Sequence, residues 1–230
     1  MKNFKTFDLA IIIVTIILSF CLPIECISAK KAPFFKKVNV IDTIYNPLAV
    51  FSKEWRVDKY QACNTARGIK YFTSSEKEIV QILNMVRLNP VLFLNSVILN
   101  PASPYYKFPA ARNHYDETLI TTLQKLQPNS KLLIPNEDAF ISAKCHAVTS
   151  GKIGYVGHDR KNSNCKEDFY GECCSYGFSD ALSIVMSLLL DYDVPSLGHR
   201  EICLSTTYSS IGVSIQPHQS YEFNAVLDFK

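Results

Sequence analysis

The end of the chain constrains its fold most. Ile211, Val213 and Ile215 alternate with small or polar neighbours, Pro217-His218-Gln219-Ser220 reads as a turn, and Tyr221, Phe223, Ala225, Leu227 and Phe229 alternate again. A period of two puts each set on one face of a strand. The chain therefore ends in a hairpin whose apolar face needs a layer of helices.

Helix signals precede it. Ser75 and Glu78 have the spacing of a capping box, and Ile79, Val80, Leu83 and Val86 fall on one face before Asn89-Pro90. Pro90 opens a second helix with Val91, Phe93, Leu94, Val97 and Ile98 buried and Asn100-Pro101 as its stop. Leu119, Ile120, Leu123 and Leu126 mark a third. Asn136, followed by Glu137 and Asp138, starts a fourth with the stripe Phe140, Ala143 and Ala147, closed by Gly151. His146 lies on the flank of that stripe and reads as a half-exposed structural histidine. Ser179-Asp180 caps a fifth helix reaching Asp191 that is apolar on most sides. Its polar positions, Asp180, Ser183, Ser187 and Asp191, share one face, which meets water or lines a pocket.

The N-terminus belongs to export rather than to the fold. Lys2 and Lys5 precede an uncharged, almost wholly apolar run over residues 9–22, followed by Pro23, Glu25 and the small residues Ser28 and Ala29. Such a run is shorter than the ~20 residues a membrane span needs, and it has the layout of a signal peptide over 1–29. Ile27 is a poor residue three places before the cut, so an uncleaved N-terminal anchor is the other reading. The expectation is an exported protein, periplasmic, cell-surface or secreted, with no transmembrane span in its mature form. Residues 30–73 form a linker and N-terminal extension, with Lys30, Lys31, Lys36 and Lys37 as a solvated tail and Trp55 packing on the domain. Residues 74–230 form that domain. A formal net charge of +3 is too small a surplus for nucleic acid to be the partner. Six of the eight cysteines, Cys63, Cys145, Cys165, Cys173, Cys174 and Cys203, lie beyond the leader. In an exported chain an even number suggests disulfides, Cys173-Cys174 among them, although some can be plain buried thiols.

Chemistry concentrates between residues 151 and 202. Residues 151–177 are rich in Gly, Asn, Ser, Asp, Tyr and Cys and read as a long loop, the kind of segment that carries sites. It holds Gly157-His158-Asp159 and Gly171-Glu172-Cys173-Cys174. Beyond it stand Asp191 and Gly198-His199-Arg200, with Gly198 allowing a tight approach that turns His199 inward. Two imidazoles can hold a divalent metal through neutral nitrogens while carboxylates bind it or orient the rings. The candidate metal set is His158, Glu172, Asp191 and His199, with Asp193 an alternative to Asp191.

These motifs in this order resemble the bacterial CAP-domain proteins, the superfamily of cysteine-rich secretory, antigen 5 and pathogenesis-related proteins. The resemblance runs from Glu78, Asn84, Arg87, Asn89, Pro90 and Phe93 through Gly157-His158, Gly171-Glu172 and Gly198-His199-Arg200 to Tyr208-Ser209-Ser210-Ile211-Gly212-Val213. It implies an α+β fold, a three-layer α-β-α sandwich whose central cleft holds two histidines and two acids and in some members takes zinc. Cys173 stands where the family's Gly-Glu-Asn has its amide, and the loop before His199 is short. The expected function is binding, of a metal together with a lipid, peptide or cell-envelope ligand. A metal-assisted hydrolase of peptide or ester bonds, with Glu172 as general base, and an adhesion or scaffold module are the alternatives.

Overall fold

The structure is a computed structural model that describes residues 45–230. The expected leader, the four lysines and the Val38-Asn39-Val40-Ile41 run lie outside the described residues. Its centre is the C-terminal hairpin, β3 (Ser210–His218) and β4 (Glu222–Phe229), in antiparallel register from Ile211 opposite Phe229 to His218 opposite Glu222. Strand β3 continues through Pro217 to His218, past the expected start of the turn. A short β1 (Ile134–Pro135) runs parallel to β3, and β2 (Gly171–Tyr176) runs antiparallel to β4, giving the order β1-β3-β4-β2. The described residues are thus mixed α/β with one four-stranded mixed sheet. Strand β2 lies inside the stretch read as loop. Gly-Glu-Cys-Cys-Ser-Tyr shows no alternation because residues 171–175 are all buried, so both faces of the strand are covered.

Helices cover both faces. On one lies α4 (Glu137–Ile153), capped by Asn136, whose side chain accepts the Ala139 N–H. It ends at Gly154 (φ 66°), three residues past Gly151. Gly151 serves a different purpose, since a Cβ there would come within 2.1 Å of the Pro217 carbonyl oxygen. From the strand side, a Cβ on Gly212 would stand 2.1 Å from the backbone of Ala139 and Phe140. Each partner contributes a glycine, and helix and sheet touch backbone to backbone. Ala143 and Ala147 then pack on Cys174 and Val226. His146, in the same helix, is fully buried rather than half-exposed.

The opposite face of the sheet, Ile211, Val213, Ala225, Leu227 and Phe229, joins the main core with α1 (Ser74–Leu88), α5 (Ala181–Leu190) and α6 (Gly198–Leu204). Helix α1 starts two residues earlier than the sequence spacing suggests. Thr73 and Glu76 form the capping box in place of Ser75 and Glu78. Tertiary structure selects this pair, because the buried Glu76 also accepts the Ile215 N–H at 2.9 Å. Next come α2 (Pro90–Phe93), which continues as a π turn over Leu94–Ile98, and α3 (His114–Lys125), capped reciprocally by Asn113 and Asp116. Residues 45–73 bury Leu48, Trp55, Tyr60, Cys63, Ala66 and Phe72 in the same core, and the Trp55 indole N–H donates to Ser96. No helix among the described residues is long and apolar enough to cross a membrane.

One disulfide, Cys145–Cys165, ties α4 to the loop that follows it. Cys173 and Cys174, expected in a disulfide, are buried thiols, as are Cys63 and Cys203. Successive residues of β2 point to opposite faces. Cys173 therefore meets α6, its sulfur 4.0 Å from that of Cys203, while Cys174 packs under α4.

Candidate functional site

The opening residues of α6 are held in place from behind. The Arg200 guanidinium donates to the carbonyls of Leu189, Leu190 and Tyr115 and to the Thr118 hydroxyl at 2.6–3.2 Å. Arg87 likewise donates to the carbonyls of Ser205 and Tyr208 beyond the helix end. These buried arginines fasten α6 to α5, α3 and α1. The chain reaches α6 from α5 through three left-handed residues, Asp191, Asp193 and Leu197, at φ 53–60°. Such angles cost ~1 kcal/mol or more each in a residue other than glycine and persist only where surroundings enforce them. Leu197 makes the turn that the sequence assigned to Gly198. A Cβ on Gly198 would meet only the Ser196 hydroxyl, at 3.5 Å, so its approach is not tight.

What enforces the bend is Asp191. One carboxylate oxygen accepts the His199 N–H at 3.0 Å and the other lies 2.7 Å from His199 Nδ1. Asp191 thus caps α6 and orients the imidazole together. Asp193 is exposed and makes no such contact. The second pair is built from β2 and the loop before it, with His158 Nδ1 2.8 Å from Glu172 Oε1. The His158 and His199 ring centroids lie 5.8 Å apart. All four residues expected at the site therefore converge as two histidine–carboxylate pairs. In each, the carboxylate fixes Nδ1 as the protonated nitrogen and leaves Nε2 free to accept a proton or a cation.

Both histidines stand at the wall of a cavity of about 520 Å³. The polar stripe of α5 lines it as Ser183, Ser187 and Asp191, while Asp180 caps the helix. The Ser183 hydroxyl is hydrogen-bonded to that of Tyr105 at 3.1 Å, and the Ser187 hydroxyl to that of Ser175 at 2.7 Å. The rest of the wall is mostly apolar, with Val156, Phe178, Met186, Leu188, Leu190 and Val194. A large, apolar cavity with a few polar groups at one end is the usual form of a small-molecule site.

Behind Glu172, under α4, lies a second cluster that sequence reasoning missed. Arg160 Nη2 sits 2.6 Å from Glu172 Oε2 and 3.7 Å from Asp228, the cross-strand neighbour of Glu172. His146 Nε2 is 2.9 Å from the Gly157 carbonyl, which makes it the N–H donor, and 4.0 Å from Glu172. Cys174 Sγ lies 3.8 Å from both His158 Nδ1 and Glu172 Oε1. Asn224 and Asp228 continue the polar alternation of β4, which reads as a side open to water, but α4 covers that face and both are fully buried.

Charges here are set by these contacts. Burial alone would raise the Glu172 carboxyl, but His158 and Arg160 outweigh it and hold the group well below the usual carboxylate range. Burial, then the neighbouring Glu172 charge, pushes Asp228 up. Its hydrogen bond to Glu172 raises His158, whereas burial lowers His146. Burial also raises the Cys174 thiol, so it is protonated and a weak nucleophile. Glu172 in this state is a poor proton acceptor at neutral pH.

His146, Glu172 and Cys174 have ligand atoms within 4.8 Å of one another and could hold a metal ion. Family models, curated proteins and solved structures offer no match to this chain, so its chemistry has to be read from the site itself.

Proposed function

We propose that this is an exported binding protein of the CAP-domain kind, a three-layer α-β-α sandwich. In this reading a divalent cation such as zinc sits between His158 and His199, and an organic ligand fills the adjoining cavity. One observation carries it: two histidine–carboxylate pairs face each other, ring centroids 5.8 Å apart, at the edge of a mostly apolar cavity. Glu172 and Asp191 would act by holding each ring through Nδ1, and Nε2 of each ring would be the ligand. The cavity lining suits a lipid tail or apolar peptide side chain, with the polar end of the ligand at the cation. Hydrolysis has less support, because the depressed Glu172 carboxylate is a weak base and no activated nucleophile adjoins it.

Calorimetric titration of zinc into the purified protein tests the cation site. His158→Ala and His199→Ala should each weaken binding at least about tenfold. Equal affinity in the parent protein and both variants would refute it.

A further inference from the structure

We propose that Cys174, Glu172 and His146 form a second, inner cation site beneath α4, selective for soft divalent metals of the zinc and cadmium class. The three side chains come from α4 and β2, and their ligand atoms lie within 4.8 Å of one another. Cys174 Sγ is 3.8 Å from Glu172 Oε1, and His146 Nε2 is 4.0 Å from the same oxygen. His146 is fully buried, and its Nδ1 has no hydrogen-bond partner. A structural histidine would be expected to use both nitrogens or expose one. With Nε2–H donated to the Gly157 carbonyl, Nδ1 is the nitrogen that carries no proton, on an imidazole grouped with a carboxylate and a thiol.

Thiolate, imidazole and carboxylate are the three donor types zinc uses, and a fourth position remains for water. Sulfur makes the site selective, because magnesium and calcium prefer oxygen. On binding, the Cys174 S–H bond breaks, its proton leaves to water, and the sulfur lone pair enters the bond to the metal. A thiolate and a carboxylate neutralise a divalent cation. Arg160 then keeps a partner, because Asp228 lies 3.7 Å away and can receive the guanidinium when Glu172 turns to the metal. Entry is from the cavity, whose wall includes Gly157 and Cys174. The outer histidine pair contains no sulfur, so the two sites differ in the metals they favour while sharing Glu172.

Cobalt(II) reads this directly, since a thiolate ligand gives an intense charge-transfer band in the near ultraviolet. The band should appear in the parent protein, in His199→Ala and in Cys173→Ser. The last variant removes the other thiol pair, Cys173 with Cys203, on the opposite face of the sheet. Cys174→Ser should abolish the band and weaken cobalt binding at least about tenfold, while excess magnesium should not compete. Cadmium-113 NMR of the unsubstituted protein reports sulfur ligation without any variant that might fail to fold. Cobalt bound with no thiolate band, a band that survives Cys174→Ser, or a cadmium shift without sulfur would each overturn the inner site. None of those results touches the outer pair, whose test is the zinc affinity of His158→Ala and His199→Ala.

Discussion

Asp191 does two jobs with one carboxylate, and the cost of losing it is correspondingly large. In Asp191→Asn one oxygen becomes an amide donor facing the His199 N–H or ring, so a buried charged acceptor is lost. Unfolding in denaturant should show a loss of about 1.5–3 kcal/mol. A change below about 0.5 kcal/mol would mean that the cap is replaceable. Gly198 offers the contrasting case. With room for a Cβ and no positive φ, Gly198→Ala should be neutral or stabilise by up to about 1 kcal/mol, with zinc affinity unchanged. A large loss in either measurement would restore the close approach that the sequence suggested. His158, Glu172 and His199 were legible because titratable residues beside glycines stand out in a chain, and Asp191 because it ends the polar stripe of α5. Arg160, His146 and Asp228 were not, since an arginine in a polar loop, a histidine on a helix and an acid in an alternating strand each have a commoner explanation. Only the packing of α4 on β2 and β4 turns them into one cluster.

At the scale of elements, α3 is fixed by its first turn. Burial alone would raise Asp116, but hydrogen bonds from Lys107, the Asn113 N–H and Tyr192 outweigh it and hold the carboxyl below its ordinary value. Lys107 is raised in turn, its hydrogen bond to Asp116 overcoming its own desolvation. A depressed acid contributes stability that is present above its unfolded pKa, about 3.9, and is lost as pH falls through the lower folded value. Thermal melts from pH 6 down to pH 2 should therefore lose less stability in Asp116→Asn than in the parent protein. Identical slopes would refute the linkage. The Cys145–Cys165 disulfide acts on the neighbouring loop. It closes a separation of 20 residues, so replacing both cysteines by serine should cost about 3 kcal/mol in the chain-entropy account. Hydrogen exchange should quicken first in the loop that carries His158 and Arg160. The helices whose caps stand out in the chain, α4 and α5, could be read almost to the residue at their starts. Strand β2 and helix α6 could not, because one has both faces buried and the other is held by Arg200 and Asp191 rather than by its own propensity.

For the whole molecule, the spacing between α4 and the sheet is set by Gly151 and Gly212, one from each layer. Gly212→Ala would drive a methyl into the backbone of Ala139 and Phe140, so either the helix lifts or the strand bends. A loss of about 3 kcal/mol or more is expected in the melt, against little change for Gly68→Ala, where the space is open. Comparable losses in both would place the cost in glycine itself rather than in layer spacing.

Glu76 carries a different kind of consequence. The carboxylate that closes the start of α1 also takes the Ile215 N–H of β3. Slipping β3 by one residue would turn Ile211, Val213 and Ile215 toward α4 and leave that carboxylate facing the wrong backbone group. A chain that pairs its hairpin one step out of place thus also frays its first long helix. Two distant segments proofread each other, and misregistered forms should be short-lived during folding.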